Sequence, residues 1–254
     1  GNIAKSYAER DNRIKVIEVE KNSGVNRARN IGLVNVSSDS SLTTFLDGDD
    51  TFIDSALLTM SETTQIYPNI SRFLFSVKKE NGDVVSSAEK GDGIYNQRQA
   101  FRYISGEWVN VFRSEFIRDG SFRYDERVVN GFESIAYFNY AKSHDAFYSS
   151  KVVRIYRVHP DSMTNSRSYS QQKLLDMSVG YSLTIENLES LGLGRRRSSY
   201  LSKLCAVLAF VFLMRKDKAN FSIYLRKAFR YNLLEVRVYR NLLLYIKLKI
   251  QNEI

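Results

Sequence analysis

Cysteine is almost absent from this sequence. The 254 residues include one cysteine, Cys205, which lies within an apolar run. A single cysteine excludes a disulfide within the chain and a metal site built on cysteines, and it is typical of proteins from a reducing, cytosolic compartment. We therefore expect a cytoplasmic protein.

Long apolar runs and proline are also scarce. The longest apolar run, residues 204–214, has 11 residues, whereas a helix needs about 20 to span a bilayer. Two prolines and 13 glycines argue against long disordered tracts. Hydrophobic residues, at 43%, and aromatic residues, at 13%, are abundant enough for a substantial core. The sequence thus predicts a folded protein without a membrane-spanning helix.

Excess basic charge is confined to the C-terminal third. Residues 1–170 carry 22 Lys and Arg and 22 Asp and Glu, whereas residues 171–254 carry 15 and six, so the net charge of +9 arises entirely there. From Tyr169 onward the pattern predicts about four helices with basic residues among Leu, Tyr and Phe. We predict two units, a catalytic domain over residues 1–167 and a basic helical region over residues 168–254.

Strand and helix patterns alternate along the first unit. Strands are expected at residues 13–19, 42–46, 70–78 and 151–158, and helices at residues 25–34, 55–67, 96–105, 114–119 and 131–143. Such alternation favours an α/β sheet with a largely parallel core flanked by helices. In sheets of this kind, ligands bind at the carboxyl ends of strands, so the end of the strand at residues 42–46 is the first place to look for a site.

An acidic turn follows that strand. Asp47, Asp49 and Asp50 surround Gly48, and clustered carboxylates repel each other and resist burial. A divalent cation relieves both penalties, and a turn at Gly48 can present Asp47 and Asp49 to it. Alternatively, the segment is an ordinary polar turn that leads into a helix cap, since Asp and Gly are common turn residues.

Two motifs resemble the bacterial family-2 glycosyltransferases of GT-A fold. Residues 22–33 read NSGVNRARNIGL and residues 45–50 read FLDGDD, similar to that family's Asn-x-Gly-x-x-x-Ala-Arg-Asn-x-Gly helix and its strand ending in Asp-x-Asp-Asp. The resemblance covers residues 3–165 and implies a GT-A-like mixed sheet flanked by helices. Because the chain opens within a predicted helix, we expect the first strands of that fold to lie upstream of residue 1.

The resemblance implies transfer of a sugar from a nucleotide-diphosphate sugar to an acceptor hydroxyl. In that family the Asp-x-Asp turn holds Mg²⁺ or Mn²⁺ against the donor diphosphate, and Asp49 and Asp47 match it. Arg29 and Asn30 match the helix on the donor side, although a salt bridge from Arg29 to the acidic turn is an alternative. His159 matches a loop that completes the metal shell in some relatives, whereas a lone histidine is more often structural.

Glu133 falls where the resemblance implies a catalytic base. The family usually has Glu-Asp there, whereas this chain has Phe132 followed by Glu133. A carboxylate near the acceptor hydroxyl can take its proton as the hydroxyl attacks the anomeric carbon; alternatively, Glu133 is a first-turn residue favoured by the helix dipole. Trp108 is expected in the acceptor site, since flat aromatics pack on sugar faces, or else in the core.

The basic helical region suits an anionic membrane surface, where each Lys or Arg contributes about 1 kcal/mol. The alternative is a bundle with a solvated basic face and with residues 204–214 in its core. We therefore expect a metal-dependent, inverting glycosyltransferase of bacterial cell-surface polysaccharide synthesis, peripheral on the inner face of the cell membrane. Its acceptor would be a saccharide or a lipid-linked saccharide.

Two rival interpretations remain open. A nucleic-acid-binding helical module agrees with the pI of 9.5 but not with the acidic turn, which repels phosphate unless a metal is bound, and we expect no nucleic-acid partner. The second rival interpretation is a noncatalytic, truncated transferase, because the strands that hold the nucleotide base in this family would lie upstream. The isolated chain would then be inactive.

Overall fold

A computed structural model describes residues 1–157, 169–192 and 195–251, without the side chains of residues 195–198. The strands of this described part are β1 (Leu42–Thr44), β2 (Thr51–Phe52), β3 (Arg72–Lys79), β4 (Ser86–Ala88), β5 (Gly93–Tyr95), β6 (Ile104–Gly106), β7 (Trp108–Arg113) and β8 (Ala146–Tyr156). Its helices are α1 (Asn2–Ala8), α2 (Val25–Val34), α3 (Ala56–Ile66), α4 (Gln97–Tyr103), α5 (Ser114–Arg118), α6 (Ser134–Tyr140), α7 (Gln171–Ser190), α8 (Arg195–Met214), α9 (Lys218–Tyr231) and α10 (Val236–Ile250). The predicted fold class, a mixed α/β part followed by a helical region, is confirmed.

The main sheet has the strand order β1-β7-β3-β8-β2, and β5 pairs with β8 as well. Among the described strands of this sheet, β3 and β8 form the one parallel pair, and the other pairs are antiparallel. The expected largely parallel core is therefore wrong. Alternation of apolar residues has the same period in parallel and antiparallel strands, so the pattern does not specify strand direction.

The predicted strand at residues 13–19 is not formed. Ile14, Ile17 and Val19 are 39%, 40% and 45% exposed. Within the described part of the chain, β1 lies at the edge of the sheet and pairs with β7 alone, so residues 13–19 do not extend the sheet. By contrast, the helix predicted at residues 25–34 has the predicted bounds in α2.

The two faces of the main sheet have different roles. On one face Phe73, Phe75 and Val77 of β3 pack against Ala56 and Met60 of α3. The residues between them on β3 point to the opposite face, because side chains alternate along a strand. β3 is buried from its first residue to Val77, which is typical of a strand covered on both faces.

The helical region has its core on α8. Eight of the residues between 204 and 213 are buried, namely Leu204, Cys205, Ala206, Leu208, Ala209, Val211, Phe212 and Leu213, and α8 packs against α7, α9 and α10. The apolar run at residues 204–214 is thus core of a helical bundle, and attachment of the basic region to a membrane stays a prediction. Burial raises the pKa of the Cys205 thiol to about 12, so it stays protonated and unreactive at neutral pH.

No helix in the described ranges is long and apolar enough to cross a membrane. The predicted boundary between residues 167 and 168 lies outside the described residues and stays a prediction.

Candidate active site

A cavity of about 1010 Å³ opens on the sheet face opposite α3. Its walls come from β3 and β7, from the loop before α6, and from the first turns of α7. Four of the residues singled out in the sequence line it: Arg29, Asp47, Trp108 and Glu133. The cavity therefore brings together side chains that are more than 100 residues apart in the chain, as Arg29 and Glu133 are.

Arg29 bridges the acidic turn and Glu133. Its Nη2 donates to Oδ1 of Asp47 at 2.9 Å, and its Nη1 donates to Oε1 of Glu133 at 2.9 Å. The guanidinium also lies over the ring of Tyr124, 5.5 Å from its centroid. Burial alone would lower the pKa of Arg29, but the hydrogen bond to Asp47 and the charges of both carboxylates outweigh burial and raise it. The salt bridge to the acidic turn, offered as an alternative from the sequence, is present.

The acidic turn is held in place by its last carboxylate. The backbone N–H of Asp50 donates to the carbonyl of Asp47 at 3.1 Å, which closes the turn. The Asp50 side chain is 4% exposed and lies 3.2 Å from Nη1 of Arg154 on β8. Burial raises the pKa of the Asp50 carboxyl, against the opposing charge of Arg154. Asp50 thus joins the turn to the sheet, and Asp47 and Asp49 stay exposed.

The carboxylates of the turn fit a hard cation that a phosphate group helps to bind. Among the residues that the structure describes, no group of three His, Cys, Asp or Glu side chains converges on one point, so these residues alone do not form a complete metal cage there. Asp47 and Asp49 offer exposed carboxylate oxygens from one turn, and Mg²⁺ commonly uses one or two carboxylates together with substrate phosphates. His159, the third predicted ligand, lies outside the described residues.

Asn30 has a structural contact that the sequence did not predict. Its side-chain amide donates to the carbonyl of Tyr124 at 3.0 Å and to Oε1 of Glu126 at 2.9 Å, and its oxygen accepts from the Tyr124 backbone N–H at 2.9 Å. Asn26, one helical turn earlier, donates to the carbonyl of Val128 at 2.8 Å. The two asparagines of α2 therefore fix the segment that leads to Glu133. Donor binding by Asn30 stays a prediction.

The loop that carries Glu133 is anchored to the helical region through Phe132. Phe132 has a φ of 57°, an uncommon conformation for a bulky residue. Its ring lies against Gly180 of α7, where an added Cβ would overlap it, and it meets Tyr181 edge-on at 5.0 Å between centroids. Glu133 therefore follows a residue whose side chain is seated in a notch on α7.

Asp176 makes a second connection between α7 and this loop. It is 4% exposed, and its carboxylate accepts from the backbone N–H groups of Val129 at 2.9 Å and Asn130 at 3.3 Å. Sequence reasoning missed both Asp176 and the notch at Gly180, because each acts on residues more than 40 positions away. The helical region is thus part of the framework of the candidate site.

Trp108 combines the two roles considered for it. Its ring packs edge-on against Tyr148, with centroids 5.3 Å apart, and its Nε1 donates to the carbonyl of Ser105 at 2.9 Å. It also lines the cavity. The packing fixes the ring in the cavity wall, and its contact with an acceptor stays a prediction.

Arg72 is a cavity residue that the sequence did not single out. It is 5% exposed, its Nε and Nη2 donate to Oδ1 of Asn110 at 2.9 and 2.6 Å, and its guanidinium lies 4.7 Å from the ring centroid of Tyr137. Within the described part of the chain no carboxylate forms a salt bridge with it. Arg72 is marked as a candidate functional residue because it is a buried arginine in a cavity wall with neutral partners. This arrangement depends on the pairing of β3 with β7, so the sequence alone does not reveal it.

Comparisons with known proteins agree with the motifs in the first quarter of the chain. Residues 1–68 match the model of the family described as Glycosyl transferase family 2. Together with the mixed sheet and its flanking helices, this match confirms the GT-A-like fold class. A structure titled "Crystal structure of S. aureus TarS 1-349" is similar over 90% of this chain and 77% of that chain, with 14% identity and a TM-score of 0.49. No curated protein matches the chain significantly.

Proposed function

Because residues 1–68 match the model of the family described as Glycosyl transferase family 2, we propose that the protein transfers a sugar from a nucleotide-diphosphate sugar to an acceptor hydroxyl. The observation that carries this proposal is the bridge through Arg29, which brings the acidic turn at Asp47 and the carboxylate of Glu133 into one cavity. Glycosyl transfer needs two such groups, one beside the leaving diphosphate and one beside the attacking hydroxyl.

The donor diphosphate is assigned to the acidic turn. Asp49 and Asp47 would hold Mg²⁺ or Mn²⁺ through carboxylate oxygens, and His159 is the further ligand predicted from the resemblance. A cation bound there supplies a Lewis acid for the negative charge on the leaving diphosphate. Arg29 lies beside Asp47, and its planar set of donors suits phosphate oxygens.

Glu133 is assigned the role of base. Its side chain is 32% exposed and lines the cavity, so an acceptor hydroxyl can approach it. Its Oε1 accepts a hydrogen bond from Nη1 of Arg29 at 2.9 Å, which holds the carboxylate at the cavity wall, and a carboxylate can accept a proton from an attacking hydroxyl. One base and one direct displacement imply inversion of the anomeric configuration.

The acceptor is assigned to the rest of the cavity. A volume of about 1010 Å³ is at the upper end of the range of small-molecule sites, so several sugar rings fit. Trp108 offers a flat face for a sugar ring, and Arg72 offers hydrogen-bond donors. A saccharide or lipid-linked saccharide of bacterial cell-surface polysaccharide synthesis has this chemistry, and attachment to a membrane would bring the enzyme to it.

The experiment measures nucleoside diphosphate released from a panel of UDP-sugars, with and without Mg²⁺, Mn²⁺ or a chelator. We expect turnover that needs the cation and that falls by about 100-fold or more in Asp49→Asn, because the charge on the leaving group is then less stabilised. Glu115→Gln, which removes an exposed carboxylate on α5, is the matched control and should be active. Turnover that survives both the chelator and Asp49→Asn would contradict the metal assignment.

A further inference from the structure

The last helix, α10, carries apolar residues on two opposite sides. The inner stripe consists of Val238, Leu244, Tyr245 and Leu248, which pack against the core of the bundle. The outer stripe consists of Val236, Tyr239, Leu243, Ile246 and Ile250, which are 76%, 47%, 68%, 46% and 76% exposed. Successive members of the outer stripe are three or four residues apart, so they follow one side of the helix.

The apolar surface extends beyond the helix. Leu233 and Leu234, in the turn before α10, are 65% and 84% exposed. The hydroxyl of Tyr239 donates to the carbonyl of Leu233 at 2.6 Å, so this turn adjoins the outer stripe. Single exposed apolar side chains are ordinary, whereas a contiguous row of seven marks a surface that binds something.

Cations border the outer stripe on both sides. At 100° per residue, Arg240 and Lys247 lie along one edge of the stripe and Lys249 along the other. No described residue forms a salt bridge with any of these three, and the sequence of α10 contains no Asp or Glu. The surface is therefore apolar in the middle and cationic at its edges, and a matching partner must be negatively charged.

A second copy of the chain does not match this surface. The outer stripe has the 3-4-3-4 spacing of a coiled-coil seam, in which residues beside the seam of one helix face those of the other. In an antiparallel pair of α10 helices Arg240 and Lys247 would face each other, and like charges repel. In a parallel pair Lys247 would face Leu242, and Arg240 would face Glu235, whose carboxylate already pairs with Arg237. The seam is also only about two heptads long, short of the three or four that indicate a coiled coil.

We propose that the outer stripe of α10, with Leu233 and Leu234, binds an anionic lipid surface, with the helix lying in the plane of the headgroups. An amphipathic helix of this kind buries its apolar side among the acyl chains and places Lys and Arg at the phosphates. A flat membrane accommodates both the helix and the adjoining turn. The surface is distinct from the cavity, and the proposal does not rest on glycosyl transfer.

Co-sedimentation with vesicles tests the proposal. The protein is mixed with vesicles of phosphatidylcholine alone and of phosphatidylcholine with phosphatidylglycerol. We expect capture mainly by the anionic vesicles. Leu243→Glu/Ile246→Glu should abolish capture, whereas Leu57→Glu/Leu58→Glu on α3, residues of similar exposure, should bind as wild type.

A second pair of variants tests the charges without touching the apolar stripe. Arg240→Gln/Lys247→Gln should weaken binding to the anionic vesicles by about fivefold for each cation removed, and Arg10→Gln/Lys151→Gln, which removes the same charge elsewhere, should weaken it less. Equal capture by neutral and anionic vesicles would overturn the proposal. A stable dimer in size-exclusion chromatography that Leu243→Glu/Ile246→Glu dissociates would overturn it in favour of a second copy.

Discussion

The α/β part and the helical region place their cations differently. Around the cavity, Arg29 pairs with Asp47 and Glu133, and Arg154 pairs with Asp50 and Glu107. On α10 the cations beside the outer stripe point outward. A paired cation fixes the positions of its carboxylates, whereas an unpaired one remains available to a partner. The same residue types therefore hold carboxylates in place in one region and leave exposed positive charge in the other.

The two regions are nevertheless joined at the candidate active site. Asp176 and Gly180 of α7 receive the loop that carries Glu133. The distinction between site and surface thus holds for α10 but not for α7, whose first turns line the cavity. Substitutions that change transfer activity without changing vesicle binding, or the reverse, separate the candidate site from the outer stripe of α10.

Among the substitutions that separate the candidate site from the outer stripe of α10, Arg29→Gln is expected to have the largest effect. Without the guanidinium, Asp47 and Glu133 lose their common partner, and each charged hydrogen bond contributes about 1.5–3 kcal/mol. We expect kcat/KM for the nucleotide-sugar to fall by about 100-fold or more, with vesicle binding unchanged. Arg98→Gln, at an exposed arginine of α4, is the matched control. Full activity in Arg29→Gln would show that the bridge is not part of the site.

A smaller effect is expected from Gly180→Ala. The added methyl group overlaps the Phe132 ring, and overpacking of this kind costs about 1–3 kcal/mol. We expect a lower melting temperature and slower transfer, because the loop that carries Glu133 must move. Adding Phe132→Ala should make Gly180→Ala less destabilising than it is in the wild-type background.

Gly32→Ala serves as the control for that experiment. Gly32 lies in α2, where an added Cβ meets open space, so alanine should stabilise the helix by about 0.5–1 kcal/mol. Equal changes in melting temperature for Gly180→Ala and Gly32→Ala would contradict the close packing of the Phe132 ring on Gly180.

The smallest effect is the pH dependence of stability at Asp50. Burial raises the pKa of this carboxyl in the folded protein above its unfolded value. The stability gained from the bound proton is therefore full below the unfolded pKa and is lost as pH rises through the folded pKa. Relative to Asp50→Asn, the wild type should gain free energy of unfolding on acidification. The check is chemical denaturation of both proteins over a pH series, and a difference that does not vary with pH would contradict this assignment.

Local features of the fold were predictable from the sequence. The bounds of α2 follow from its apolar spacing and from the glycine before it, and the acidic turn follows from three carboxylates at the end of a strand. Four helices at the C-terminus follow from the repeat of apolar residues. In each case neighbouring residues decide the structure, so one sequence suffices.

Features that depend on distant partners were not predictable. Strand direction in the main sheet and the notch for Phe132 are each set by residues far along the chain. Asn30 is a further example. The motif predicts it as a donor-binding residue, but its hydrogen bond to the carbonyl of Tyr124 depends on the folded chain. The arrangement of Arg29, Asp47 and Glu133 around one cavity was likewise a consequence of the tertiary fold.

The central claim, that Glu133 is the base of a glycosyl transfer, is tested most directly by Glu133→Gln. Glutamine keeps the shape of the side chain but does not accept a proton, so we expect kcat for transfer to fall by about 100-fold to 10,000-fold while the affinity for nucleoside diphosphate and cation, measured by calorimetry, is retained. Transfer at the wild-type rate in Glu133→Gln would contradict the assignment.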